Sequence, residues 1–158
     1  MLGYCPNTTL SMNKEEVLVI SSPFYPSYYP DNIDCFWKIT SDEESPNGFI
    51  EVTFLNFDTH PEHDFLTVGV GNEIDVASGS VLHLSGGKAP RVATVNGSAM
   101  WLRFKTNVQG QMSAGFRLRL KWLSSYGKQY FYLFFIFNIN LFLAKQSNEK
   151  CKVSSFMV

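Results

Sequence analysis

Between Cys5 and Trp122 apolar side chains recur at every second residue, and no stretch there carries them at the 3.6-residue interval of an amphipathic helix. Successive side chains of a strand point to opposite faces, so this rhythm marks strands with one buried side. It is clearest in Phe49-Ile50-Glu51-Val52-Thr53-Phe54, which turns Ile50, Val52 and Phe54 inward and Glu51 and Thr53 outward. Gly115 to Leu120 repeats it with Phe116, Leu118 and Leu120 inside and Arg117 and Arg119 in water. Ala99 to Phe104 alternates as well, and Cys35, Trp37 and Ile39 share one face. Val17 to Ile20, Phe65 to Val70 and Val81 to Leu84 read as further strands. Pro23, Pro26 and Pro30 exclude helix between Phe24 and Asn32, because each removes a backbone donor and restricts the residue before it. Many short strands separated by Gly, Pro and Asn turns predict an all-β antiparallel sandwich.

At 158 residues the chain is long enough for one core. Thirteen basic against fourteen acidic side chains, net −1, lack the positive excess that a nucleic-acid backbone demands, so nucleic acid is set aside as a partner. Of the three cysteines, Cys5 and Cys35 lie in the patterned region and Cys151 in a tail of different character, which reads as one disulfide and one leftover thiol. The start MLGYCPNTT has none of the basic, apolar and small-residue stages of a secretory signal. Two sequons, Asn7-Thr8-Thr9 and Asn96-Gly97-Ser98, argue for the secretory route and make Asn7 and Asn96 candidate glycosylation sites. The expectation is a chain lacking its true N-terminus, or a mature domain with an initiator Met. No catalytic constellation emerges. Gly79-Ser80 with Ser85-Gly86 does not make a G-x-S-x-G elbow, and Gly69-Val70-Gly71 is a turn signal without the helix start of a phosphate cradle. His60 and His63 straddle a proline in a loop, unlike the fixed ligands of a zinc site, and His83 is expected outward on its strand.

Cys5, then Ser21-Ser22-Pro23-Phe24-Tyr25-Pro26-Ser27-Tyr28-Tyr29-Pro30, then Cys35-Phe36-Trp37-Lys38-Ile39 resemble the opening of a CUB domain. That family shows a first cysteine, an S-P-x-Y-P-x-x-Y-P segment and a C-x-W-x-I strand. Phe54 with Phe57-Asp58, Asp64-Phe65-Leu66, Leu102-Arg103-Phe104 and Gly115-Phe116 resemble its later signatures in order. The resemblance covers residues 5–122 and implies a CUB-type jelly-roll sandwich, extracellular and without catalytic activity. It implies a Cys5–Cys35 disulfide, whose loop of about 30 residues would contribute roughly 3 kcal/mol. The family's frequent second disulfide would fall near Pro61 and Ser85-Gly86, and neither place holds cysteine.

Many members bind calcium through three acids. The second is kept here as Asp64, the first falls near His60 with Glu62 as a substitute, and the third falls on Asn107. Calcium takes six to eight oxygens, so Asp64, Glu62 and Asn107 form at most a weakened site. The partner implied is an extracellular protein, whose basic side chain would meet Asp64 and Glu62 if both were exposed. The alternative is a glycan- or heparin-binding module like the spermadhesins, for which Arg103, Lys105, Arg117 and Arg119 are the candidates. Residues 123–158 form an aromatic, low-complexity tail. Its Tyr130–Ala144 run of 15 residues, broken by Asn138 and Asn140, is short for a bilayer span. Membrane association through it, a bound or buried β-hairpin edge, and translation of a retained, A/T-rich intron are its three readings.

Overall fold

A computed structural model describes Cys5 and residues 7–42, 48–73, 80–107 and 112–124. The tail expectations for 123–158 lie, from residue 125 on, outside the described residues. The described elements are all strands: β1 Thr8–Met12, β2 Val17–Ser21, β3 Asp34–Ser41, β4 Gly48–Asp58, β5 Phe65–Val70, β6 Ser80–Leu84, β7 Val92–Asn96, β8 Ala99–Lys105 and β9 Gly115–Ser124. They form a five-stranded sheet in the order β1-β3-β8-β5-β6 and a four-stranded sheet in the order β2-β9-β4-β7. The all-β sandwich expected from the alternation is the fold.

Alternation fixed which residues meet between the sheets. Cys35, Trp37 and Ile39 of β3 are buried, as are Leu102 and Phe104 of β8 and Leu66 and Val68 of β5. Ile50 and Val52 of β4 lie beside Phe116, Leu118, Leu120 and Trp122 of β9 on the inner face of the other sheet, in the same core. Phe104 sits edge-to-face against both Tyr29 and Phe116, at centroid distances of 5.0 and 5.1 Å. This geometry places ring edges on ring faces, as the aromatic quadrupole favours.

All the strand pairs but one are antiparallel. β1 runs parallel to β3, with Thr8 opposite Trp37. In that register the chain upstream of Thr8 is carried back towards Cys35, and Cys5 and Cys35 are joined with their Cα atoms 4.8 Å apart. β1 and β7 are not among the strands read from the alternation, since Thr8-Thr9-Leu10-Ser11-Met12 and Val92-Ala93-Thr94-Val95-Asn96 carry weak apolar contrast. Each is an edge strand, and β4 is longer than expected, continuing past a bulge between Phe54 and Asn56 to Asp58. Gly69 is not a turn residue. It pairs with Trp101 within the sheet, and a Cβ there would overlap the indole ring of the buried Trp101.

Candidate functional site

At one end of the sandwich, the Pro–Tyr segment, the β4–β5 loop and the end of β8 converge on Asp64. The carboxylate is 4% exposed, and both oxygens accept hydrogen bonds. Tyr29 Oη donates to Oδ2 at 2.6 Å, and the Asn107 backbone N–H donates to Oδ1 at 2.9 Å. The same phenol accepts from the His60 N–H at 2.9 Å. Burial, then the bond to Asp64, hold the Tyr29 hydroxyl in its neutral form well above the usual tyrosine range. Three segments distant in sequence are thereby tied through two side chains. The prolines keep the Pro–Tyr segment out of helix, and the aromatic body of Tyr29 anchors it in the core.

The loop itself is closed by Ser85, whose hydroxyl donates to the His60 carbonyl at 3.0 Å and accepts from the Glu62 N–H at 2.8 Å. Glu62 adopts a left-handed φ of 66° on the exposed side of the turn. His60 is buried and stacks on His63 with ring centroids 4.9 Å apart. The structure therefore brings Asp64 and Asn107 into contact, through the Asn107 main chain, and leaves Glu62 exposed while Asp64 is covered. A partner's basic side chain could reach the two acids together only if both were exposed, and Asp64 is not. The sequence reading missed Tyr29 and Ser85 as members of this network. Tyr29 stood in the quoted Pro–Tyr segment, but nothing in that segment tells which tyrosine turns inward.

Among the described residues no group of three or more His, Cys, Asp or Glu side chains is placed to hold a metal ion. At Asp64 both carboxylate oxygens already accept a donor, the Tyr29 O–H and the Asn107 N–H.

The four basic candidates separate onto different faces. Arg103 and Lys105 lie on β8 of the five-stranded sheet, and Arg117 and Arg119 on β9 of the other. Arg103 reaches Asp34 with two hydrogen bonds, Nε to Oδ1 at 2.8 Å and Nη2 to Oδ2 at 2.6 Å, and lies 5.0 Å from the centroid of the Phe36 ring. That pairing holds the Asp34 carboxyl below the usual range, through the hydrogen bonds first and the nearby positive charges of Arg103 and Lys105 after them. His83 is exposed, as expected, stacked on Phe65 at 4.3 Å and hydrogen-bonded through Nδ1 to the Thr67 hydroxyl.

A family model described as CUB domain matches residues 7–120. Dog cubilin is 32% identical over 101 residues, covering 58% of this chain and 2% of that protein. Rat neuropilin-2 is 32% identical over 116 residues, covering 68% of this chain and 12% of that protein. The chain thus spans a small part of the length of these curated relatives. Among solved structures, the calcium-bound second CUB domain of MASP-1 superposes with a TM-score of 0.60 at 19% identity, covering 74% of this chain and 99% of that one. The full extracellular region of zebrafish Gpr126/Adgrg6 gives 0.60 at 20% identity, over 76% of this chain and 15% of that one.

Proposed function

The chain belongs to the CUB domain family, and on that premise we propose that it is a non-catalytic extracellular module that recognises a protein partner. The observation that carries this reading is the family match across residues 7–120, which takes in all the described strands but the last four residues of β9. Asp64 and Tyr29, bonded to each other, hold the loop end closed. Asp64 is read as an anchor and not as a metal ligand. Several millimolar calcium should then leave the melting temperature unchanged, whereas a ligand selective for the folded state would raise it. An upward shift reversed by chelator would refute the anchor reading.

Exposure at the surface suits the secretory expectation. Asn7 and Asn96 are both exposed, beside or within the edge strands β1 and β7. Glycans at these positions would shield two edges that could otherwise pair with another chain. The module is best tested by adding the full chain, secreted from a eukaryotic host, to intact cells. Saturable binding lost after brief trypsin treatment of the cells, and kept after heparinase, supports a protein partner. Binding lost to heparinase alone favours a glycan receptor, and absence of binding to any cell type tried removes the support.

A further inference from the structure

The outer face of the four-stranded sheet carries a row of cations that nothing in the fold explains. Arg117, Arg119 and Lys121 alternate with buried Phe116, Leu118, Leu120 and Trp122, so all three stand outward and exposed on β9. β9 is an inner strand, between β2 and β4. Among the described residues none of the three makes a salt bridge, and Arg119 Nη2 donates a long hydrogen bond, 3.4 Å, to Thr53 Oγ1. The nearest acid in register is Glu51, opposite Lys121. Side chains two apart on a strand are about 6.8 Å apart, so the row spans roughly 13 Å.

Apolar side chains flank this row. Val19 lies opposite Arg119 and Val17 opposite Lys121 on β2, exposed to 51% and 46%. Val92 stands beyond Thr53 on β7, 44% exposed. Valine suits a strand by its branched side chain, and scattered single apolar residues need no explanation. Three bordering one cationic row that forms no salt bridge among the described residues make a composite surface.

We propose that this face is the docking surface for the protein partner, and that the partner presents acidic side chains interleaved with apolar ones. Carboxylates two residues apart on an extended segment have the same repeat as the cations of β9, and its apolar side chains would cover the valines. A sulfated glycan satisfies the cations equally but offers nothing to Val17, Val19 or Val92. The valines are what favour a protein. The inference rests on the protein-partner reading and gives it a place and a charge. That charge is opposite to the basic side chain expected at Asp64 and Glu62.

The test uses the full chain and a fluorescent short peptide of alternating Glu and Leu, with its Lys–Leu counterpart and a heparin oligosaccharide as rivals. Saturable binding of the Glu–Leu peptide at low salt is expected, weakened about tenfold or more by R117E/R119E and roughly threefold by V17S/V19S. Melting curves of the variants confirm that they fold, and these exposed positions leave the core untouched. Failure of the peptide to bind, binding of the Lys–Leu peptide in its place, or indifference to either double variant overturns the proposal. So does tight binding of heparin alone that ignores the valines, which would assign the face to a glycan. In the cell assay, wild-type binding that is trypsin-sensitive but unchanged in R117E/R119E sinks this surface while the protein-partner reading stands. Loss of wild-type binding itself would sink both.

Discussion

The two sheets turn the same sequence rhythm into opposite surfaces. On β8, Arg103 and Lys105 alternate outward, and on β9 so do Arg117, Arg119 and Lys121. The five-stranded sheet places Phe36 across from Arg103 and Asp34 one diagonal step away, so the guanidinium is stacked and doubly hydrogen-bonded. The four-stranded sheet places Val19 and Thr53 across from Arg119; Glu51 is one diagonal step away but forms no salt bridge with it, and the charge stays open to solvent. A cation on an alternating strand is therefore neither structural nor functional by its own position. Its cross-strand neighbours decide, because opposite and diagonal pairs are the units of interaction on a sheet face. The five-stranded sheet also holds the covalent tie, through Cys35, and the acid anchored by Tyr29 precedes its strand β5.

Breaking that covalent tie should have the largest effect. Replacing Cys5 and Cys35 together by Ala removes a cross-link between residues 30 apart in sequence. The loss expected is about 3–4 kcal/mol of unfolding free energy, read from denaturant titration. A loss near zero would mean that the parallel β1–β3 pairing holds the edge unaided. Next in size, Tyr29→Phe keeps the ring against Phe104 but leaves Asp64 Oδ2 without its donor and the His60 N–H without its acceptor. Both groups lie in buried residues, so a loss of about 2 kcal/mol is expected. The pH dependence sharpens the point. The folded hydroxyl titrates above its unfolded value near 10, so its contribution is whole below about pH 10 and fades as pH rises beyond it. Phe at this position should abolish that alkaline decline, and an unchanged decline would mean that another group causes it.

The strands were legible because burial on one face writes itself into the sequence at period two. Ile50, Val52, Phe116, Leu118 and Leu120 face the core as the pattern required. β1 and β7 escaped because edge strands with partly exposed faces carry little contrast, Thr8 to Met12 above all. At the loop end, Asp64 and Asn107 could be aligned from the family resemblance, and the structure brings them together. What could not be read was the role of each. A carboxylate that anchors a loop and one that holds a metal look alike in sequence, and the bond from the Tyr29 phenol, 35 residues away, exists only in the fold. Lys121 was open to inspection, since the Gly115–Leu120 alternation continues through it to the buried Trp122. Its pairing with Val17 and Glu51 was not, because register is fixed by long-range contacts.

A smaller effect separates the two faces at the level of single ion pairs. Asp34→Asn removes a bidentate but partly exposed salt bridge, with side-chain exposures of 27% for Arg103 and 39% for Asp34. The expected loss is about 0.5–1 kcal/mol after allowance for solvent screening. Because the folded carboxyl titrates below its unfolded value near 3.9, its contribution is whole above that pH and disappears as pH falls through the folded value. The wild type and the Asn variant should therefore converge in stability in acid. A constant gap down to pH 2 would show that packing, and not charge, is lost.

The smallest effect has the opposite sign. Arg119 stands between Arg117 and Lys121 on the same exposed row, with no acid opposite it. Two like charges about 6.8 Å apart in water repel by roughly half a kcal/mol before screening. Arg119→Glu turns both repulsions into attractions against one weaker diagonal repulsion from Glu51, so the variant should be more stable by a few tenths of a kcal/mol at low salt. The gain should vanish above about 0.5 M salt, where the Debye length of about 4 Å lies well below the spacing. Arg103→Glu, placed beside Asp34, should lose stability under the same conditions. A destabilised Arg119→Glu would mean that the row takes part in holding the fold. Stabilisation would mean that the fold carries these cations at a small cost, which a docking surface accounts for and a structural role does not.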